Sequence, residues 1–478
     1  MIQTDKFHEE CGIVGVYGNP DAANLVYLGL YALQHRGQEA SGIVTHDGKI
    51  FYQEKGTGLV ADVFRAKKLG ALRGSVSIGH NRYSTSGTLA NVQPLMGSSS
   101  HGTIAMAHNG NLVNAVSLRE ELEVEGAVFQ STVDSEVILH LLARSSGNTL
   151  IERISHGLSK VRGAYSLLFL AQEGLIGVRD PHGVRPLLLG KLKEGYVLAS
   201  ESCVFDLIEA ELIRDIEPGE VVKIDENGVT SYKPFPKSMP TAQCVFEFVY
   251  FARPDSVIFS QSVCDVRKRL GWELAKEAPV DADIVIAVPD SGVLSALGFA
   301  EVAKIPYNVG LIRNHYVGRT FIEPKESIRH FGVRVKLNAI KSVLQGKRVV
   351  VVDDSIVRGT TSQKIVKMIR AAGAKEIHVR VSSPPILSPC FYGIDTPTRE
   401  ELVASSQSVE EIRKRLTADS LQYLSVDGMF RAVYKNTSGS NKDFCAACFT
   451  EQYPIALDEQ KSHQFSLFDN LISSDKVK

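Results

Sequence analysis

At 478 residues the chain is too long for one ordinary core, so two or three domains are expected. A formal net charge of −1 with 22% charged residues argues against a nucleic-acid footprint spread over the molecule. No apolar run reaches the ~18 residues of a membrane span, residues 1–10 lack a secretory apolar core and carry Glu9 and Glu10, and seven cysteines in so long a chain point to chemistry or metal in a cytoplasmic protein rather than to a disulfide framework.

In chain order, Cys11-Gly12-Ile13-Val14-Gly15-Val16-Tyr17-Gly18 reads as a glycine-rich strand, followed by an apolar helix over about 21–34. Asp47-Gly48 marks a hairpin turn. Short strands are expected near 75–78, 103–107, 165–170, 175–178, 187–189 and 196–200, and helices near 117–123 and 135–143. Many strands with few, clustered helices predict a layered sandwich of antiparallel sheets. Lys233-Pro234-Phe235-Pro236-Lys237-Ser238-Met239-Pro240-Thr241 is proline-rich, lacks periodicity and reads as a linker. Beyond it, Ile284-Val285-Ile286-Ala287-Val288 and Val349-Val350-Val351-Val352 read as strands buried on both faces, the pattern of a parallel sheet. The second strand ends in Asp353-Asp354, then a polar loop with Ser355, Val357, Arg358, Gly359, Thr360 and Thr361. A helix follows with Ile365, Val366, Met368, Ile369 and Ala372 on one face and Gly373 as its stop. Residues 457–478 form a polar tail, expected to be mobile. No internal repeat is present.

The strand–loop–helix at 347–373 has an anion-binding layout, because free N–H groups and the helix dipole both face the loop. It lacks the lysine of the G-x-x-x-x-G-K-[ST] loop, which excludes an ordinary nucleoside triphosphatase. Two carboxylates before a phosphate cradle suit a sugar phosphate. The run resembles the phosphoribosylpyrophosphate (PRPP) loop of type I phosphoribosyltransferases; the plainer alternative is a buried strand with solvated aspartates at its end. The other strand ends in Pro289-Asp290-Ser291-Gly292, and ligands sit outside the carboxyl ends of parallel strands. The resemblance makes Ser291, Asp353 and Asp354 magnesium-site residues, in keeping with the oxygen ligands that Mg2+ prefers. A plain helix N-cap is the bland reading of Ser291. The basic, polar run from Arg313 to Leu337 reads as a solvated loop; by resemblance it is a lid over PRPP.

Four polar clusters stand in the first half: Leu33-Gln34-His35-Arg36-Gly37-Gln38-Glu39, Gly79-His80-Asn81-Arg82-Tyr83-Ser84-Thr85-Ser86-Gly87, His108-Asn109-Gly110-Asn111-Leu112 and Thr132-Val133-Asp134-Ser135-Glu136. Singly they are turns and solvated charges. In this order behind Cys11-Gly12 they resemble the N-terminal-nucleophile (Ntn) glutamine amidotransferase domain. If residues 1–10 are a propeptide, Cys11 gains both a thiol and a free α-amine, and only the α-amine titrates near ~7.7–8.0, low enough to act as base at neutral pH. The resemblance places the oxyanion hole at the Asn109 side chain and Gly110 N–H, the glutamine carboxylate on Arg82 and its α-ammonium on Asp134. Asn81 departs from the β-branched or apolar residue expected there. Asp180-Pro181-His182-Gly183-Val184-Arg185-Pro186-Leu187 and Ala199-Ser200-Glu201-Ser202 read as supporting turns.

Cys445-Ala446-Ala447-Cys448 is a C-x-x-C pair without a nearby histidine, and no spacing rule joins it to Cys244 or Cys390. Both halves together resemble the glutamine PRPP amidotransferase family, in its propeptide-bearing, iron–sulfur form. That resemblance makes Cys244, Cys390, Cys445 and Cys448 ligands of a [4Fe–4S] cluster, with a four-cysteine zinc as runner-up. It implies an α/β and α+β protein of two domains: an Ntn-hydrolase αββα sandwich over 11–233 and a type I phosphoribosyltransferase fold with a parallel sheet over 243–456. It implies L-glutamine and PRPP as substrates, release of glutamate and pyrophosphate, inhibitory purine nucleotides and a homotetramer, with no nucleic-acid or membrane partner. Two rivals are another Ntn amidotransferase, such as a glucosamine-phosphate synthase, and a non-enzymatic PRPP sensor.

Overall fold

The structure, a computed structural model, describes residues 11–82, 89–235, 239–314, 337–434 and 443–458. The expected propeptide (1–10), the Tyr83-to-Gly87 end of the arginine cluster, most of the expected lid (315–336) and the tail from 459 lie outside the described residues.

Two antiparallel sheets fill the first half. One has seven strands, in the order Glu211–Asp215, Leu188–Lys191, Tyr196–Ala199, Gly12–Tyr17, Val76–Arg82, Ala40–His46 and Phe51–Thr57. The other has six: Gly228–Tyr232, Val221–Asp225, Gly174–Arg179, Gly163–Ala171, Gly102–Leu112 and Leu95–Ser99. The sheets pack face to face: Ile13, Val44 and Ile78 of the first meet Ala105, Ala107, Leu168 and Leu170 of the second. The outer faces are covered by helix Ala22–Ala32 on one side and by Ala115–Val124, Glu136–Arg144 and Leu150–Leu158 on the other, which makes four layers, αββα. Strand Gly12–Tyr17 therefore reads as a continuous apolar run. Ile13 points between the sheets, while Val14 and Val16 point to the helix.

In the second half four strands are all parallel, in the order Ile284–Ala287, Arg348–Asp353, Glu376–Val381 and Ser420–Tyr423. Alternate residues serve opposite faces. Val349 and Val351 pack with Ile365, Val366 and Ile369 of helix Thr360–Ala371, whereas Val350 and Val352 join Phe299 and the helix Val263–Glu277. Ala287 is in register with Val352, so both strands release their loops at the same edge.

The elements expected from sequence are present, with shifted ends. Several others were not anticipated, among them helix Leu150–Leu158, helix Val263–Glu277, strand Glu376–Val381 and strand Ser420–Tyr423. The first carried a legible signal, the capping box of Thr149 and Glu152. The last is four residues with only Leu421 buried, too short to show a period. Among the described residues no helix is long and apolar enough to cross a membrane.

Candidate active site

The first group of site residues assembles where the two facing sheets end. Cys11, half-buried, heads the central strand. Its neighbour Gly12 pairs with Asn81, which sets Arg82 beside the thiol end of the strand. Gly37 is required here: a Cβ on it would lie 2.8 Å from both N and C of Arg82. Arg82 donates to the carbonyl of Asn91. Asn81 is fully buried and satisfied at both ends of its amide, accepting from Ser41 Oγ (2.7 Å) and donating to Leu30 O (2.6 Å), which accounts for a polar residue at this position.

Asn109 and Gly110 come from the opposing sheet. Asn109 is fully buried, and its Nδ2 reaches Ser200 Oγ only across 3.5 Å, the outer limit of a hydrogen bond. Ser200 Oγ also accepts from Ile13 N (3.1 Å), so one hydroxyl ties the cysteine strand to the asparagine. Gly110 has φ +146, and a Cβ there would strike Ala164 O at 2.0 Å. Asp134 accepts from Leu112 N at 3.0 Å and lies 3.9 Å from His108 Nδ1. The fold thus brings Cys11, Arg82, Asn109, Gly110 and Asp134 to one end of the sandwich.

The second group stands at the carboxyl edge of the parallel sheet. Asp353 and Asp354 are buried (4% and 1% exposed) although they end a strand, which excludes the reading of solvated aspartates. Asp354 accepts from Ser291 Oγ and from Ser355 Oγ (2.6 Å), so both loops meet on this carboxylate. Gly292 approaches so closely that a Cβ would lie 2.6 Å from Val352 O. Gly359 has φ +76 at the start of the helix, with Thr360 and Thr361 in its first turn. Arg358 donates to Glu401 at 2.9 Å. Val357 buries its side chain in the core and offers the loop only its backbone. Ser291, Asp353 and Asp354 form an oxygen-only donor set that fits Mg2+. Tyr423 was missed by sequence reasoning. Its hydroxyl is buried without a hydrogen-bond partner among the described residues, and burial, then the nearby Asp353, push its pKa up.

The four cysteines, unrelated by spacing, converge. Gln243–Cys244 pairs in parallel with Phe444–Cys445, which sets Cys244 beside Cys445. Cys244, Cys390, Cys445 and Cys448 line one cavity with Val184, Tyr392 and Tyr453. Burial pushes the Cys445 thiol up to about 12; burial and then the other three cysteines push Cys448 up as well. Among the described residues no three ligating side chains already close on one ion position. The donor set still fits a cluster: four thiolates repel one another in an apolar cavity unless a cationic core lies between them, and Tyr392 N donates to Cys390 Sγ at 3.3 Å. Cys203 is a buried thiol beside Glu201, and Cys264 lies elsewhere, on helix Val263–Glu277.

Sequence reasoning placed Arg36 in a polar cluster and Arg185 and Glu201 in supporting turns, gave none of them a catalytic role, and did not single out Glu247. All four side chains are fully buried in one network. Arg36 pairs with Glu201 and Glu247, and Arg185 pairs with Glu247 at 3.3 Å. Burial raises Glu201 in pKa, but Arg36 and His35 outweigh it and hold the carboxylate well below its usual range. The network ties the sandwich to the chain beyond the linker.

A four-layer Ntn sandwich with a cysteine at the head of its central strand, joined to a parallel phosphoribosyltransferase-type sheet, defines a two-part amidotransferase architecture. A family described as "Glutamine amidotransferase domain" matches residues 80–206. Amidophosphoribosyltransferase 1, chloroplastic, of Arabidopsis thaliana is 51% identical over 96% of this chain and 81% of its own length. Amidophosphoribosyltransferase of Bacillus subtilis (strain 168) is 49% identical over 96% of each chain. A solved B. subtilis glutamine PRPP amidotransferase, complexed with ADP and GMP, superposes with a TM-score of 0.90 at 48% identity, covering 94% of this chain and 98% of that one. The chain belongs to the amidophosphoribosyltransferase family.

Proposed function

We propose that the chain makes 5-phosphoribosylamine from PRPP and glutamine, releasing glutamate and pyrophosphate, in the first step of purine (IMP) biosynthesis. The observation that carries this reading is that one chain holds both the Cys11–Asn109–Gly110 end of the sandwich and the buried Asp353–Asp354 edge, joined through Arg36, Glu247 and Arg185.

In this reading Arg82 takes the glutamine α-carboxylate as a bidentate pair and Asp134 takes the α-ammonium. The Cys11 thiol attacks the amide carbon. Its proton goes to the α-amine that removal of residues 1–10 would expose, and the same amine then protonates the leaving ammonia. The oxyanion accepts from Asn109 Nδ2 and Gly110 N–H, each such donor being worth about 10²–10³ in rate. Water hydrolyses the thioester to glutamate. At the second site the 355–361 loop and its helix terminus hold the 5′-phosphate, while ammonia attacks C1 with inversion and pyrophosphate leaves. Mg2+, held by Ser291, Asp353 and Asp354, would neutralise that leaving group. Cys244, Cys390, Cys445 and Cys448 would hold a [4Fe–4S] cluster as a structural cross-link. The domains, 11–233 and 243–456, divide at the proline-rich linker, and the protein acts as a cytoplasmic homotetramer inhibited by purine nucleotides. In support, a relative's structure is described as complexed with ADP and GMP.

Cys11→Ser, made in a chain that begins at residue 11, tests the division of labour. Glutamine-dependent synthesis should fall by at least about 10³, the scale of losing a nucleophile, while ammonia-dependent synthesis stays near wild type. Asp354→Ala should lose synthesis from either nitrogen source. Loss of ammonia-dependent synthesis in a folded, PRPP-binding Cys11→Ser protein would overturn the assignment, and absence of glutamate release from the wild type would favour a PRPP sensor.

A further inference from the structure

We infer that the turn Phe391-Tyr392-Gly393, which belongs to the phosphoribosyltransferase half, positions the oxyanion donors of the glutaminase half. The inference rests on the assignment of Asn109 and Gly110 as those donors.

Three contacts place the turn. Gly393 lies flat on Gly110: a Cβ on Gly393 would sit 2.8, 2.9 and 3.0 Å from the C, Cα and O of Gly110. Asn111, the residue after Gly110, donates through Nδ2 to Phe391 O at 2.9 Å. Tyr392 O accepts twice from Arg185, from Nε at 3.0 Å and from Nη2 at 2.8 Å. Arg185 is fully buried and is held by Glu247, which Arg36 grips from the other side. The Tyr392 hydroxyl donates to Ile455 O (2.7 Å) and accepts from Ile455 N (3.0 Å), which pins the turn from behind.

Gly110 is therefore confined by backbone on two sides. Ala164 O blocks one and Gly393 the other, and both glycines have left-handed φ, +146 and +108. A donor in this position acts only when charge develops on the substrate oxygen, and it acts over a narrow distance range of about 2.7–3.1 Å. A turn that sets the position of Gly110 therefore affects kcat and leaves glutamine binding to Arg82 and Asp134.

The test uses Gly393→Ala and Asn111→Ala in the full mature protein. Gly393→Ala forces a methyl onto Gly110 and should lower kcat for glutamine hydrolysis at least about tenfold, approaching the 10²–10³ of a lost donor. KM for glutamine should stay within about threefold and ammonia-dependent synthesis within about twofold, since neither depends on the oxyanion. Asn111→Ala, which only unclips the turn, should show the same split at smaller size, and it decides alone if Gly393→Ala does not fold. Wild-type kcat in Asn111→Ala and in any folded Gly393→Ala overturns the proposal, and so does a parallel fall in ammonia-dependent synthesis, which marks general damage. Asn109→Ala is the control on the underlying assignment: if it keeps full glutaminase kcat, the oxyanion reading itself fails, whatever the turn variants do.

Discussion

His80 lies between the sheets beneath the glutaminase end and His108 on the helix-covered face of the second sheet, 0% and 2% exposed. The His80 Nε2–H donates to His108 O at 3.0 Å in the tautomer that carries its proton there. Burial, reinforced by the positive charge of Arg82, pulls His80 down to about 3. Burial also lowers His108, with Asp134 opposing. Both are neutral in the folded state, so the unfolded chain binds more protons below its own histidine pKa. The stability they contribute is complete above about 6.5 and is lost as the pH falls from there toward the folded value. At pH 5 the loss from His80 alone is on the order of 2 kcal/mol, at 1.36 kcal/mol per unit. Urea unfolding of His80→Gln should therefore show a flatter decline between pH 7 and pH 5 than the wild type; an unchanged slope would remove His80 from the account.

Two helices of the second half cross with their backbones in contact. Helices Val263–Glu277 and Val293–Ala303 meet at Gly271 and Gly298: a Cβ on Gly271 would lie 2.0 Å from Ser295 O, and one on Gly298 would lie 2.1 Å from Lys268 O. Ser295 Oγ adds a bond to Arg267 O at 3.1 Å. The second helix follows directly from Ser291 and Gly292, so its seating sets where Ser291 meets Asp354. Gly271→Ala cannot be absorbed by a side-chain rotation, because its neighbour is a backbone carbonyl. It should cost about 3 kcal/mol or more, the upper end of overpacking. Synthesis from ammonia as well as from glutamine should fall, whereas basal glutaminase should persist. Wild-type stability, measured by denaturant midpoint, would contradict this close packing.

Across the whole molecule the two halves share one core: Val14, Leu30 and Val204 of the sandwich belong to the same apolar cluster as Phe246, Phe248, Leu270 and Phe449. The cysteine cavity lies along this seam, lined by Val184 and Arg185 from the first half and by Cys390 and Cys448 from the second. Anaerobically purified protein should contain about four iron and four sulfide per chain, as a four-thiolate cluster requires. Cys448→Ser should lose that iron and become less stable, because cluster binding is partly folding energy. Stoichiometric zinc without iron in the wild type would identify the runner-up metal instead.

The sequence by itself determined what is local. The four-valine strand running into Asp353-Asp354, the glycine that starts the following helix, and the polar clusters around Arg82, Asn109 and Asp134 are each written within about a dozen neighbouring residues, where period, turn chemistry and capping act. The short strand Ser420–Tyr423 was illegible because its pairing with Glu376–Val381 decides it, not its own pattern. Only the tertiary structure decided that Arg36 meets Glu247 across 211 positions, that Asn111 meets Phe391 across 280, and that Cys244 lies beside Cys445. These depend on contacts between distant segments, and they exist because a polar group or thiol taken out of water must find its counterpart wherever the packed layers bring one within reach.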